Sequence, residues 1–218
     1  MTDTQPAAGQ QRRAFWLKHL HQWHWISSAI CLIGMLLFAV TGFTLNHAGQ
    51  IEARPAVQTR QATVPTRLLD KVRAAAPSGA GQAGETRAPV PAVLAGWLAQ
   101  ALDIDATGRE AEWSADEVYV ALPRPGGDAW VSIALDSGEA QYEHTSRGAI
   151  SYLNDLHKGR NTGAAWSLFL DAFALACLVF CVTGLFLLKL HAGGRVATWP
   201  LVGLGLAVPL LLAILFIH

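Results

Sequence analysis

The chain has 218 residues, of which 52% are hydrophobic and 15% are charged, and its formal net charge is zero. Soluble domains carry about 25% charged residues, so this composition disfavours a fully soluble protein. A zero net charge gives no indication of a nucleic-acid partner, and we expect none.

Three long runs of apolar residues account for this composition. Trp25–Leu45 and Val196–Ile217 contain no charged residue, and Trp166–Leu188 contains one, Asp171. A helix needs about 20 such residues to cross the hydrocarbon core of a bilayer. The sequence therefore predicts three transmembrane helices.

The basic residues predict the orientation of these helices. Three bases at residues 12–18 precede the first run, and Lys189 and Arg195 flank the link between the second and third runs. The segment 48–164 holds 11 bases and 14 acids. Bases close to helix ends stay in the cytoplasm, whereas long domains translocate regardless of charge. We expect a protein of the bacterial inner membrane, with its N-terminus inside and its main domain in the periplasm.

The chain then divides into seven segments. They are a cytoplasmic N-terminus (1–24), transmembrane helix 1 (25–46), a periplasmic tether (47–87), a periplasmic α+β domain (88–164), transmembrane helix 2 (165–190), a cytoplasmic link (191–196) and transmembrane helix 3 (197–218). The tether is rich in Ala, Gly, Pro and Thr, and a short helix is expected in it over Arg67–Ala76.

The periplasmic domain is predicted to be one helix packed on a small antiparallel sheet. Apolar residues recur at helical spacing over Pro91–Leu102. The segments that alternate in polarity and predict strands are Glu110–Ser114, Val118–Leu122, Trp130–Leu135 and Glu139–Thr145. The turn residues Asp136-Ser137-Gly138 join the last two strands as a hairpin.

Four of the eight histidines lie at the ends of the first two spans. His24 and His191 are expected at the level of the cytoplasmic face, and His47 and His157 at the level of the periplasmic face. Two histidines facing each other across a helix bundle are the axial ligands that a b-type haem requires. The sequence predicts one or two haems per chain, with His21 able to replace His24 as an iron ligand. Histidines are also common at membrane interfaces without binding anything, and this interpretation stays open.

Two further features bear on these sites. If the chain were helical throughout, His157 and His191 would lie about 51 Å apart, which exceeds a bilayer, so Asp155–Gly163 is expected to be partly unwound or to lie along the membrane surface. Asp171 is an ionisable residue inside a predicted span, where carboxylates are costly. It is expected either to handle protons or haem propionates, or to make a polar contact between helices.

Several short motifs resemble those of the PepSY-associated transmembrane helix family. They are Leu20-His21-Gln22-Trp23-His24-Trp25, Thr41-Gly42-Phe43, Leu45-Asn46-His47, Asp155-Leu156-His157-Lys158-Gly159, Thr183-Gly184-Leu185 and Leu190-His191. The resemblance covers nearly all of the chain after residue 13, and the domain between spans one and two looks like a PepSY unit.

This resemblance implies an inner-membrane haem protein that passes electrons across the membrane to reduce ferric iron or a ferric siderophore in the periplasm. Larger members have four or more spans, so it stays open whether a homodimer completes the haem sites. The competing interpretation is a non-catalytic membrane adaptor, or a protein that restrains a protease through its PepSY-like domain. Neither interpretation identifies a catalytic residue.

Overall fold

A computed structural model describes residues 5–51, 54–78 and 86–217 of the chain. Its elements in chain order are α1 (Gln5–Asn46), β1 (Ala56–Thr63), α2 (Thr66–Ala74), β2 (Thr86–Pro89), α3 (Ala92–Leu102), β3 (Glu110–Trp113), β4 (Glu117–Ala121), β5 (Gly127–Ala134), β6 (Glu139–Ser146), α4 (Gly148–Lys158), α5 (Gly163–His191) and α6 (Thr198–Phe216). The chain forms two compact units. One comprises the chain up to Leu37 with the chain from Leu168 onward, and the other comprises Phe38–Ser167.

Three helices are long and apolar enough to cross a membrane, which confirms the predicted spans. Helices α1, α5 and α6 have 42, 29 and 19 residues. Pro209 lies inside α6. Proline is tolerated in a transmembrane helix because neighbouring groups satisfy the backbone carbonyl that it frees. The chain is therefore a membrane protein.

The second unit contains a six-stranded antiparallel sheet with the order β1-β6-β5-β4-β3-β2. Residues of β5 alternate strictly between buried and half-buried positions, as expected for a strand with one covered face. Helices α2 and α3 contribute Leu69, Val72, Leu94 and Leu98 to the core beneath the sheet. The predicted helix-and-sheet domain is confirmed, as is the hairpin between β5 and β6.

The segment interpreted as a tether differs from the structure, because it contributes two strands and a helix to this domain. Strand β1 pairs with β6 along its whole length, from Ala56 opposite Ser146 to Thr63 opposite Glu139. Seven of its eight residues are exposed, so its sequence lacks the alternation that reveals a strand. Backbone hydrogen bonds at the sheet edge hold it instead. Helix α2 begins and ends within two residues of the predicted helix.

Helix α4 is separated from α5 by a turn, as the predicted break requires. Helix α4 ends at Lys158, Gly159 adopts φ 67°, and α5 begins at Gly163, which has φ 80°. Such left-handed backbone is most easily adopted by glycine. The two residues of α4 that are buried are polar, Asn154 and Asp155. Their hydrogen bonds therefore position α4.

Candidate functional site

His24 of α1 contacts a threonine-glycine pair on α5. Its Nδ1 atom lies 3.0 Å from Thr183 Oγ1 and 3.2 Å from the carbonyl oxygen of Phe180. The imidazole stacks on the Phe180 ring, with 4.6 Å between ring centroids and 16° between planes. A Cβ atom on Gly184 would lie 3.2 Å from His24 Cε1, which is tighter than an ordinary contact. We call these four residues the His24 site.

His157 of α4 contacts a second threonine-glycine pair, this time on α1. Its Nδ1 atom lies 2.7 Å from Thr41 Oγ1, and its ring lies 4.9 Å from the Phe38 ring at 44°. A Cβ atom on Gly42 would lie 3.5 Å from His157 Cε1, an ordinary van der Waals distance. We call these four residues the His157 site.

The two sites share a five-residue motif, of which only the Thr-Gly pairs are among the short motifs given above. Residues 38–42 read Phe-Ala-Val-Thr-Gly, and residues 180–184 read Phe-Cys-Val-Thr-Gly. The Thr-Gly pairs were noted, but the phenylalanine three residues before each threonine was missed. Residues three apart lie on one face of a helix. Each motif therefore presents the phenylalanine ring, the threonine hydroxyl and the glycine, which has no side chain, to one histidine.

The neighbours of the two histidines determine the hydrogen-bond direction at His24 only. The Nδ1 atom of His24 lies 3.2 Å from the carbonyl oxygen of Phe180, which can only accept, so His24 donates from Nδ1. Thr183 Oγ1 lies 2.7 Å from Val179 O and 3.1 Å from Phe180 O, and can give its own proton to either. Thr41 Oγ1 lies 3.2 Å from Phe38 O and 2.7 Å from His157 Nδ1, so its single proton can go to the carbonyl or to the histidine.

Three further candidate ligands donate from Nδ1 to a backbone carbonyl, as His24 does. The Nδ1 atoms of His21, His47 and His191 lie 2.8, 2.9 and 2.9 Å from the carbonyl oxygen four residues earlier in the same helix. A carbonyl oxygen can only accept, so each Nδ1 donates, and in the neutral ring Nε2 then carries the lone pair. Histidines that bind metal characteristically donate their other ring nitrogen in this way.

The histidines are not brought together in the predicted pairs. In the part of the chain that the structure describes, the two imidazoles in ring contact are His21 and His191, with centroids 5.6 Å apart and planes at 89°. His24 meets Thr183 rather than His191. His47 packs on Phe43, with 4.4 Å between centroids, and His157 meets Thr41. The ligand set, including the choice between His21 and His24 as the partner of His191, stays a prediction.

Comparison with known protein families bears on this arrangement. The PepSY_TM-like family model matches residues 15–218, a range that includes both histidine sites. The chain belongs to the PepSY_TM-like family. The resemblance drawn from the sequence motifs is thereby confirmed. No curated protein and no solved structure matches the chain.

Two other features of this PepSY_TM-like protein lie outside the histidine sites. Cys31 is fully buried on α1, and Cys177 on α5 is half-buried. Asp171 is exposed on α5 and lies nine residues from Phe180. Nine residues make two and a half helical turns, so Asp171 and Phe180 face opposite sides of α5. The expected role of Asp171 stays a prediction.

Proposed function

We propose that this protein is a b-type haem protein of the bacterial inner membrane that passes electrons to ferric iron or a ferric siderophore in the periplasm. The observation that carries the proposal is shared by five histidines on α1, α4 and α5: His21, His24, His47, His157 and His191 each have Nδ1 within hydrogen-bonding distance of an oxygen atom. A histidine whose Nδ1 donates to such an oxygen can offer its Nε2 atom to a metal.

The residues that would hold haem iron are those that the sequence nominates. His24 and His191 would serve one haem, with His21 as the substitute for His24, and His47 and His157 would serve the other. A haem held by two histidines supplies one-electron transfer between its ferric and ferrous states. The hydrogen bond at each Nδ1 fixes the orientation of the ring.

Charge distribution supports the direction of transfer. Arg12, Arg13 and Lys18 precede the apolar part of α1, and Lys189 and Arg195 lie around the end of α5. Bases in these short segments keep them in the cytoplasm. The sheet domain would then lie in the periplasm, where one electron converts Fe(III) to Fe(II). Fe(II) is released because hard oxygen ligands bind it less tightly.

Iron reduction across a vesicle wall tests this proposal. The full chain is reconstituted with haem into vesicles that enclose dithionite, and a ferric siderophore is added outside with a chromogenic Fe(II) chelator. We expect Fe(II) to form with the wild type and to be lost in His157→Ala and His24→Ala. His144→Ala is the matched control, because His144 lies on β6 in the sheet domain. Equal rates for vesicles with and without protein would refute the proposal.

One observation favours the alternative function of a protein-binding adaptor. Tyr119 on β4 and Trp130 on β5 stack at 6.0 Å on the half-buried positions of the sheet. Aromatic side chains of this kind are enriched at protein interfaces. An adaptor would be colourless when purified after expression with ample haem, and the His157→Ala variant would still bind its partner.

A further inference from the structure

Helix α1 carries large exposed aromatic residues outside its apolar run. Phe15, Trp16 and Trp23 are 56%, 56% and 57% exposed. With His19 and Leu20 they occupy positions i, i+1, i+4, i+5 and i+8, which share one face of a helix, and they line a shallow groove there. Phe15 packs on His19, with 4.3 Å between ring centroids. We call Phe15, Trp16, His19 and Leu20 the aromatic face.

The aromatic face lies beyond the part of α1 that packs on α5. His24 contacts Thr183, and His21 contacts His191, the last residue of α5, so the two helices are antiparallel. Gln5–Leu20 therefore continues past the end of α5, over about 24 Å at 1.5 Å per residue. All of these residues belong to the same compact unit.

Three basic residues border the aromatic face. Arg12 lies on the same side of the helix, four residues before Trp16, and Arg13 and Lys18 flank the face to either side. All three are exposed, and residues 5–24 contain no acid. Protein interfaces combine an aromatic centre with a polar rim, and both Trp and Arg are enriched in them. The face therefore has the composition of a protein-binding surface with a positive rim.

A lipid surface and a second copy of the chain fit this face less well. Phe15 and Trp16 precede Trp25, where the apolar run begins, by about 15 and 14 Å. The headgroup layer is only about 5–8 Å thick on each side of a bilayer. Residues 10–25 contain no glycine, proline or serine at which the helix would kink, so this segment projects from the membrane. A second copy would oppose three bases with three bases, which repel each other.

We propose that the aromatic face docks an acidic one-electron carrier protein of the cytoplasm. The positive rim selects a negatively charged surface, because complementary charge steers the encounter and fixes its orientation. The basic residues themselves assign this end of α1 to the cytoplasm.

The position of the face suits an electron donor. Phe15 lies within about 9 Å of His21 along the helix axis, and His21 and His24 are the residues proposed to hold the inner haem. The reduced carrier would give up one electron and become oxidised as the ferric haem becomes ferrous. The role of the partner as donor rests on the proposed haem, whereas its docking does not.

Binding of two soluble carriers tests this inference on the full chain. The protein is placed in phosphatidylcholine nanodiscs, and its affinities for flavodoxin and for a plant-type ferredoxin, both acidic, are measured by calorimetry. We expect at least one to bind, about tenfold more weakly in Trp16→Ala and about threefold more weakly in Arg12→Gln. Trp199→Ala and Arg195→Gln are the matched controls, because both residues are exposed around the start of α6, outside the face.

Three binding results would overturn the inference. The first is no binding of either carrier, and the second is an equal loss in Trp16→Ala and Trp199→Ala. The third is binding of cytochrome c, which is basic, as tightly as of the acidic carriers. Haem content counted on the same samples separates this test from the proposed function, since a haem-loaded chain that binds no carrier would refute the docking alone.

Two further results would assign the face to another occupant and overturn the inference as well. A doubled mass in nanodiscs that returns to that of one chain in Trp16→Ala would show a second copy on the face. Fluorescence of Trp16, taken as the difference between the wild type and Trp16→Phe, would be quenched by brominated lipid if the membrane covered it.

Discussion

The His24 site and the His157 site place the same five-residue motif against a histidine, yet they are supported differently. His24 belongs to the interior of α1, a continuous helix, and meets α5 directly. His157 belongs to α4, an 11-residue helix that is tied to the sheet domain. Packing between the apolar helices α1 and α5 is enough to position His24, whereas the position of His157 depends on the folding of the sheet domain.

The link between α4 and the sheet domain is specific. Asp155 Oδ2 accepts a hydrogen bond from the backbone N–H of Gly126 at 2.8 Å. Gly126 has φ 75°, and a Cβ atom there would lie 2.7 Å from the Cα atom of Tyr152. Only glycine allows the turn before β5 to approach α4 this closely. The position of His157 therefore follows from a contact in the domain two residues earlier in the helix.

The largest difference between the sites is expected from Asp155→Ala. Removing the carboxylate leaves the Gly126 N–H without its acceptor and frees α4, at a cost of about 3 kcal/mol in the free energy of unfolding of the sheet domain. The His157 site should be disturbed while the His24 site is preserved. Thermal unfolding in detergent, followed by tryptophan fluorescence, measures this change. Asp116→Ala is the control, because Asp116 is exposed. Equal stability of the two variants would contradict the role given to Asp155.

The two threonines are expected to differ in importance. Thr41→Val removes the hydroxyl that lies 2.7 Å from His157 Nδ1, and we expect a cost of about 1–2 kcal/mol. Thr183→Val should cost less, because His24 Nδ1 retains the carbonyl of Phe180 at 3.2 Å.

Nitrogen NMR of labelled histidine reports which ring nitrogen of His157 is protonated in the Thr41 variants. The wild-type tautomer should be kept in Thr41→Ser, which retains a hydroxyl, and should change in Thr41→Val. A wild-type tautomer in Thr41→Val would show that the Thr41 hydroxyl does not determine it.

The smallest contrast is expected at the glycines. Gly184→Ala places a methyl group 3.2 Å from His24 Cε1 and forces the ring to shift, whereas Gly42→Ala meets His157 Cε1 at an ordinary 3.5 Å. We expect Gly184→Ala to be the less stable by about 1 kcal/mol. Gly203→Ala in α6 is the control, because nothing lies within 4 Å of its Cβ position. Equal unfolding temperatures for Gly184→Ala and Gly42→Ala would show that the two glycines do not differ in this way.

The sequence predicted the spans well because an unbroken apolar run is a local signal. It did not reveal β1, since that strand is held by backbone pairing with β6 and its exposed side chains carry no pattern.

For the candidate site, the sequence identified the histidines but not their neighbours. The contact of His24 with Thr183 joins residues 159 positions apart, and no local pattern encodes it. The repeated Phe-x-Val-Thr-Gly motif was the signal that could have indicated both contacts.

Haem content tests the central claim most directly. The full chain, expressed with ample haem and purified in detergent, is examined by absorption spectroscopy before and after reduction with dithionite, and its haem is counted as the pyridine haemochrome. We predict one or two haems per chain and a sharp alpha band in the reduced spectrum. The haem content should be lower in His24→Ala and His157→Ala and unchanged in His144→Ala. A colourless wild type would contradict the proposed haem binding. A haem content that stays the same when any of the five histidines is replaced by alanine would contradict it as well.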